Sequence, residues 1–411
     1  MSPRVAVLHH PRSFFPLDLL REVGDSAEIL WVADEAVSGD ATTYRLLQHL
    51  GTVVDIAHLD LDRAAHRLAG HHPDGIVSFV DDHIVTAAAL AARLGLPYHT
   101  PEVAGILVDK CRQRATLRQA GIPGPIFWPA PAGLTSPQAT DLARRITYPA
   151  VLKPAEGSGS RGMHLIRAPG DLLSLLDGDA GGTDCILEEY LYDDPSLDQR
   201  FASYVSVESV VSAGRVSHVA VTGRFPLAEP FRETGNFIPG LLDRHLHRPV
   251  LGMVGDAIDC LGITTGVIHT EVKLTPEGPR LIEINGRLGG RPPFVLHSVS
   301  HVNLFQVACQ VAVGTPVAFD GLADCRGVGF WLMLQPPMSA RRVATVEGLD
   351  DLCGLHGVEV VRLDRRPGEA VDWREGTDSH VVTVQGRVTD HTALAETIES
   401  IRCTVKIGYE E

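Results

Sequence analysis

The chain has 411 residues, of which 44% are apolar and 21% charged, and its net charge is −15. This length supports two or three domains with a sizeable core, and the composition is that expected of a soluble globular protein. The acidic balance argues against nucleic acid or an anionic membrane as partner, while leaving room for a locally basic pocket.

The seven cysteines, Cys111, Cys185, Cys260, Cys309, Cys325, Cys353 and Cys403, are scattered and contain no C-x-x-C pair. That pattern fits a reduced, cytoplasmic protein better than a disulfide framework or a zinc site. No signal-peptide pattern precedes the strand-like start, and no run of about 18 apolar residues suggests a membrane span.

Up to about residue 100 the chain alternates strand-like runs at 5–8, 28–32, 53–57 and 75–79 with helical runs at 17–23, 42–49, 61–69 and 84–94. Such alternation predicts an open parallel α/β sheet. A helix is expected over 110–120, closed by Gly121 and the extended Ile122 and Pro123, and 134–137 reads as a loop. From Ala150 the pattern turns β-rich, with runs at 150–153, 163–167, 185–191, 204–211 and 216–222. Helices are expected over 247–261 and 303–313. Beyond about Arg326 come strands at 357–363 and 380–384, an amphipathic stretch over 392–402 and a last strand.

The stretch 266–287 reads as a β-hairpin whose two strands flank turn-forming Thr275, Pro276, Glu277 and Gly278. Centred on Glu277, it sets Glu271 opposite Glu283 and His269 opposite Asn285. Alternation then places His269, Glu271, Lys273, Glu283, Asn285 and Arg287 on one face, and Ile268, Val272, Leu274, Ile282 and Ile284 on the other. Two opposed carboxylates repel unless a cation sits between them. Carboxylate and amide oxygens suit Mg²⁺, which keeps waters and also takes substrate phosphates. The alternative is an exposed sheet face with ordinary surface charges.

Gly157, Gly159 and Gly162 formally match G-x-G-x-x-G. The dinucleotide version of that motif needs a helix after the glycines. Here a strand-like 163–167 follows, which points instead to a strand–loop–strand flap. Its glycines would let backbone N–H groups approach phosphate, with Ser158 and Ser160 as added donors and Lys153 as a point charge. A plain solvated turn is the other reading. The run 185–191 is an apolar strand ending in Glu188, Glu189, Tyr190 and Leu191. It offers backbone groups to an adenine and a carboxylate to a ribose, or is simply a strand end that meets solvent.

Asp109 and Lys110, Lys153 with its glycine loop, 187–191, His269 to Glu271, and 283–290 fall in one order along the chain. Taken together they resemble the ATP-grasp superfamily, and within it the L-amino acid ligases that make dipeptides. The resemblance covers about residues 105–312 and implies three regions. These are an α/β domain at 1–105, an ATP-grasp domain at 106–312 with its flap at 154–163 and metal hairpin at 266–287, and a small C-terminal domain at 313–411.

The resemblance also implies roles. Lys110 and Lys153 would contact ATP phosphates, residues Gly157, Ser158, Gly159, Ser160 and Gly162 would close over them, and Glu188, Glu189, Tyr190 and Leu191 would read adenine. Glu271, Glu283 and Asn285 would hold Mg²⁺, two ions being expected, with Mn²⁺ as a substitute. Arg287 would face the acyl phosphate, making it and Lys153 the catalytic pair. Glu233 and Asn236, in a substrate loop, would join Arg287, Gly290 and Arg291 around an amino acid, with Glu233 holding its amino group.

Two positions depart from the family pattern: Asn236 stands where a histidine is common, and Tyr204 where an acid is common. Arg291 stands where dipeptide-forming relatives carry a bulky residue. It either pairs a second substrate carboxylate or is a surface arginine. The expected activity is an ATP-dependent carboxylate–amine ligase; a carboxylase of the same fold and a non-catalytic nucleotide-binding protein are the rivals. A homodimer is a family-based expectation.

Overall fold

The structure is a computed structural model describing residues 2–178 and 180–411. Four parallel strands, Arg4–Leu8, Glu28–Ala33, Val53–Asp55 and Gly75–Ser78, form the first sheet in spatial order third, second, first, fourth. Helices Leu61–Ala69 and Ile84–Leu94 have the predicted bounds. Asp60 caps the first through a bond from the Arg63 N–H, and left-handed Gly95 ends the second. Trp31, fully buried, anchors the core beneath this sheet.

A second sheet has four antiparallel strands in the order Phe127–Ala130, Cys185–Glu189, Ala150–Pro154, His164–Ile166. Its last two strands flank the glycine loop, so the strand–loop–strand reading holds.

The third sheet is antiparallel and eight-stranded. It runs Gly278–Asn285, Gly266–Thr275, Tyr204–Ser212, Arg215–Arg224, Gly235–Ile238, Val328–Leu334, Val382–Val388, Val358–Leu363. Three strands beyond residue 313 thus continue the sheet that carries the hairpin. Helix Arg244–Cys260 covers one face, burying Val250, Val254, Ala257 and Ile258 against Val207, Ile268, Leu281 and Ile284.

The expected loop at 134–137 is corrected: a helix, Ser136–Arg145, begins inside it. Gln138 Oε1 accepts the Thr135 N–H at 2.9 Å, and Pro137 sits in the first turn, where its missing N–H costs nothing. Helices Pro101–Val108, Pro169–Asp177 and Pro292–Val299 also begin with a proline and were not anticipated. Among the described residues, no helix is long and apolar enough to cross a membrane. All seven cysteines are free.

Candidate active site

The hairpin register is the expected one at its open end, with Glu271 opposite Glu283 and His269 opposite Asn285. Beyond that point the pairing slips by one residue, so that Val272 faces Leu281. Ile282 is therefore the extra residue of a bulge. This corrects one placement: Ile282 is half-buried on the wall of a cleft, and Leu281, fully buried, takes its place in the core.

That cleft, about 1240 Å³, lies where the three sheets meet. Its walls include Lys110, Lys153, Gly157 to Ser160, Glu188 to Leu191, Glu233, Glu271, Glu283, Arg287, Gly290 and Arg291. Most of the residues singled out along the sequence are thus gathered around one space.

Lys110 opens helix Lys110–Gln119, capped by Asp109. Its Nζ lies 3.1 Å from Glu283 Oε1 and donates to the Gly157 carbonyl at 2.6 Å, tying the hairpin to the flap. Lys153 Nζ lies 2.7 Å from Glu188 Oε2, and Arg114 Nε donates to Glu188 Oε1 at 2.8 Å. Burial pushes the Glu188 pKa up, but Arg114 and Lys153 outweigh it and hold the carboxyl below its usual range. Burial likewise lowers Lys153, with Glu188 opposing. The Glu189 carboxylate accepts the Ile126 N–H at 2.9 Å and Arg280 Nη2 at 2.5 Å. Both acids at the end of this strand are therefore engaged by the protein. Alternation turns Glu188 inward beneath Lys153, while Glu189 keeps a place on the cleft wall. Tyr190 and Leu191 remain on the wall beside them.

Behind Glu271 lies a buried charged row. His269 Nδ1 sits 2.9 Å from Glu208 Oε2, and its Nε2 3.5 Å from Glu271 Oε1. Glu208 also accepts from Ser206 and Thr222 hydroxyls at 2.9 and 3.0 Å. Burial opposes the imidazolium, but the Glu208 carboxylate wins and raises the His269 pKa to about 9. Burial also opposes the Glu271 carboxylate, and the His269 hydrogen bond and charge lower it to about 2. His269 is thus a satisfied residue that holds Glu271.

The donor set fits a hard cation. Two carboxylates face each other across one ladder pair and open onto the cleft. Among the described residues no group of three His, Cys, Asp or Glu side chains surrounds a common point. A cation here would complete its shell with waters and substrate phosphates, the habit of Mg²⁺. Asn285 is not on the cleft wall: it is buried, and its Nδ2 donates to the His269 carbonyl at 3.4 Å. Its amide oxygen, the atom that would meet a cation, is not engaged among the described residues, so Asn285 stands behind the two carboxylates.

Glu233 accepts from the Tyr204 hydroxyl at 3.3 Å and lies 3.7 Å from Arg224 Nη1. Arg287 donates through Nε and Nη2 to Asp81 Oδ2 at 3.0 and 2.6 Å. Arg291 stacks over the Trp331 ring at 4.9 Å. Among the described residues its guanidinium has no ion pair and no hydrogen bond. Burial and then Arg362 lower its pKa, so its charge is held against a cost. Gly162 and Asn236 do not reach the wall. Gly162 turns the loop with φ +64°, its would-be Cβ 3.0 Å from Pro154 Cγ. Asn236 is fully buried, in register between the longer Arg224 and Trp331, and neither amide atom has a partner among the described residues.

Sequence reading missed Asp81, Arg114, Glu208 and Arg224. A signal existed for Asp81: it follows strand Gly75–Ser78, and open parallel sheets present ligand-facing residues at the carboxyl ends of their strands.

No protein-family model matches the chain. An uncharacterised protein of Sinorhizobium fredii is 27% identical over 372 residues, 85% of this chain and 72% of its own length. Human carnosine synthase 1 is 28% identical over 328 residues, 72% of this chain and 38% of that enzyme. An alanine–anticapsin ligase of Bacillus subtilis is 26% identical over 240 residues, 53% of this chain and 49% of the ligase. The chain thus spans well under two thirds of these two named relatives. In three dimensions the crystal structure of an L-amino acid ligase from Bacillus licheniformis matches with TM-score 0.78 at 16% identity, over 100% of this chain and 99% of that one.

The fold is that of the ATP-grasp superfamily. Proteins similar to this chain in sequence include ligases, carnosine synthase and alanine–anticapsin ligase among them.

Proposed function

We propose that the protein joins an amino acid carboxylate to an amine at the expense of ATP. The products would be a dipeptide or a γ-glutamyl-type amide, ADP and phosphate. One observation carries this reading. The Glu271–Glu283 pair shares a cleft with Lys110, Lys153 and the glycine flap at one end, and with Glu233, Arg287 and Arg291 at the other. Groups suited to phosphate and groups suited to an amino acid thus line one cleft, which supports this reading. The named homologues support the same class of reaction.

In this reading ATP lies between the flap and the strand end at Glu189 to Leu191, with its phosphates toward Lys110 and Lys153. Mg²⁺, held by Glu271 and Glu283 with Asn285 behind them, would neutralise charge on the phosphate oxygens. Glu233 takes the substrate ammonium, and Arg287 orients its carboxylate. A carboxylate oxygen attacks the γ-phosphorus and ADP departs. The amine nitrogen then attacks the acyl carbon, loses a proton, and phosphate leaves. The flap, by excluding water, protects the acyl phosphate from hydrolysis.

Arg291 narrows the acid. An unpaired guanidinium on the wall of a partly desolvated cleft favours a substrate with a second anionic group, which a planar fork holds through two parallel bonds. A screen of amino acid pairs for phosphate release, with mass spectrometry of products, tests the reading. Bicarbonate-dependent ATP hydrolysis without any amino acid would favour a carboxylase. No turnover with any pair, despite ATP binding, would leave a nucleotide-binding protein.

A further inference from the structure

The segment 376–379, near the end of the chain, touches both halves of the cleft. On the nucleotide side the Thr377 N–H donates to the Gly159 carbonyl at 2.9 Å, and Arg161 Nη1 lies 3.3 Å from Asp378 Oδ2. On the substrate side the Glu233 N–H donates to Thr377 Oγ1 at 3.3 Å. Gln335 Nε2 clasps both pieces, donating to the Glu233 carbonyl at 2.7 Å and to the Thr377 carbonyl at 2.9 Å.

The turn itself is braced. Ser379 Oγ donates to Gln335 Oε1 and lies 2.9 Å from the Gly376 carbonyl, and Arg232 Nη1 donates to Ser379 Oγ at 3.2 Å. Gly376 has φ +69°, and a Cβ there would sit 2.1 Å from the Gly159 carbonyl oxygen. Only glycine allows both that backbone conformation and that approach.

We propose that Gly376 to Ser379 form a strut that couples the nucleotide flap to the substrate loop, with Gly376 and Thr377 as its positioning residues. The proposal rests on the ATP-dependent reading of the cleft. Flap and substrate loop bond to opposite sides of one braced turn. Fixing Gly159 by nucleotide binding therefore fixes Thr377, and Thr377 in turn fixes the Glu233 backbone. A two-sided contact of this kind is a coupling free energy, and it acts equally in both directions. It tightens the acid site further when ATP holds the flap, and it gives the region beyond residue 313 a part in the chemistry without contact to the reacting atoms.

The test is hydrogen–deuterium exchange of the whole protein with and without Mg²⁺ and adenylyl imidodiphosphate, which needs no knowledge of the acid. In the wild type the nucleotide should slow exchange at least five-fold in peptides covering both 155–163 and 231–236. In Thr377→Val the flap should still be protected, while the Glu233 N–H loses its acceptor and the 231–236 protection should fall, the Gln335 clasp on the two carbonyls remaining. Thr377→Ser, which keeps the hydroxyl, should restore it. Gly376→Ala should weaken nucleotide binding at least ten-fold by pushing Gly159 away. Loop protection undiminished in Thr377→Val, or nucleotide affinity unchanged in Gly376→Ala, overturns the strut. Protection of the flap without the loop in the wild type overturns it too, and leaves the nucleotide site standing. Protection of neither segment in the wild type overturns the nucleotide reading itself, and the strut with it.

Discussion

Asp81 and Arg287, 206 residues apart in sequence, meet through two hydrogen bonds from the guanidinium to Asp81 Oδ2, at 3.0 and 2.6 Å. The pair ties the end of the N-terminal parallel sheet to the residues that follow the hairpin. It also holds the Arg287 fork on the cleft wall. Asp81→Asn keeps the shape and removes the charge. Arg287 then loses the charge of its partner, and stability should fall by about 2 kcal/mol, less than for a fully buried pair. Turnover should fall as well, because a misplaced fork no longer orients the substrate carboxylate. Urea unfolding and kcat measured together check this; a variant with wild-type values in both would remove Asp81 from the site.

Glu271→Gln and Glu283→Gln should each lower turnover at saturating Mg²⁺ by at least about 100-fold. The fold should survive, since Gln keeps the shape and the loss of one ion pair, Glu271 with His269 or Glu283 with Lys110, is partly offset by less repulsion between the opposed acids. Circular dichroism and a steady-state ADP assay are sufficient. Near-normal rates in either variant would show that the pair does not hold a catalytic cation.

Lys153→Met should raise the KM for ATP and lower kcat, because a charge facing the phosphates is lost. Glu188 keeps Arg114, 2.8 Å away, so the fold should tolerate the change. Dependence of rate on ATP concentration that matches the wild type would mean that Lys153 serves only to neutralise Glu188.

Arg291→Leu should reduce use of acidic amino acids such as glutamate or aspartate relative to alanine or leucine. Truncating one partner of a buried charge pair costs about 2–5 kcal/mol. Rates with these four acids, for both proteins, decide the matter. An unchanged ranking would leave Arg291 as a lid on Trp331 and nothing more.

His99 is buried, and its Nε2 lies 3.1 Å from the Gly286 carbonyl. Burial lowers its pKa to about 4 from the usual 6.5. The folded chain therefore refuses a proton that the unfolded chain accepts, and stability is lost as pH falls from 6.5 toward 4. Between pH 7 and pH 5 this one group should cost about 2 kcal/mol. His99→Gln, which keeps a donor for Gly286, should show a correspondingly shallower pH dependence in urea titrations. Parallel pH profiles for the two proteins would exclude the effect.

Local rules made much of this molecule readable from its residues. Period-two alternation about a turn located the Glu271–Glu283 pair, and strand-like runs on both sides of the glycines separated a flap from a dinucleotide loop. The parallel order of the first sheet followed from alternating β and α segments. The first two rest on contacts between residues close in sequence, and the third on the crossover that a β–α–β alternation imposes, its strands pairing residues as distant as Val5 and Gly75.

The remainder depended on packing. A bulge at Ile282 exchanged a core residue for a cleft residue, and no local pattern marks where one ladder slips against its neighbour. The carboxylates of Glu188 and Glu189 looked free in the sequence. Their partners, Arg114 and Arg280, come from segments 74 and 91 residues away. Asn236 carried a polar side chain into a buried row because its strand lies between two longer-armed neighbours. The strut at 376–379 has no motif at all. Which charges are spent on one another, and which, like Arg291, stay open to the cleft, is decided only when the sheets close together and burial makes each unpaired charge expensive.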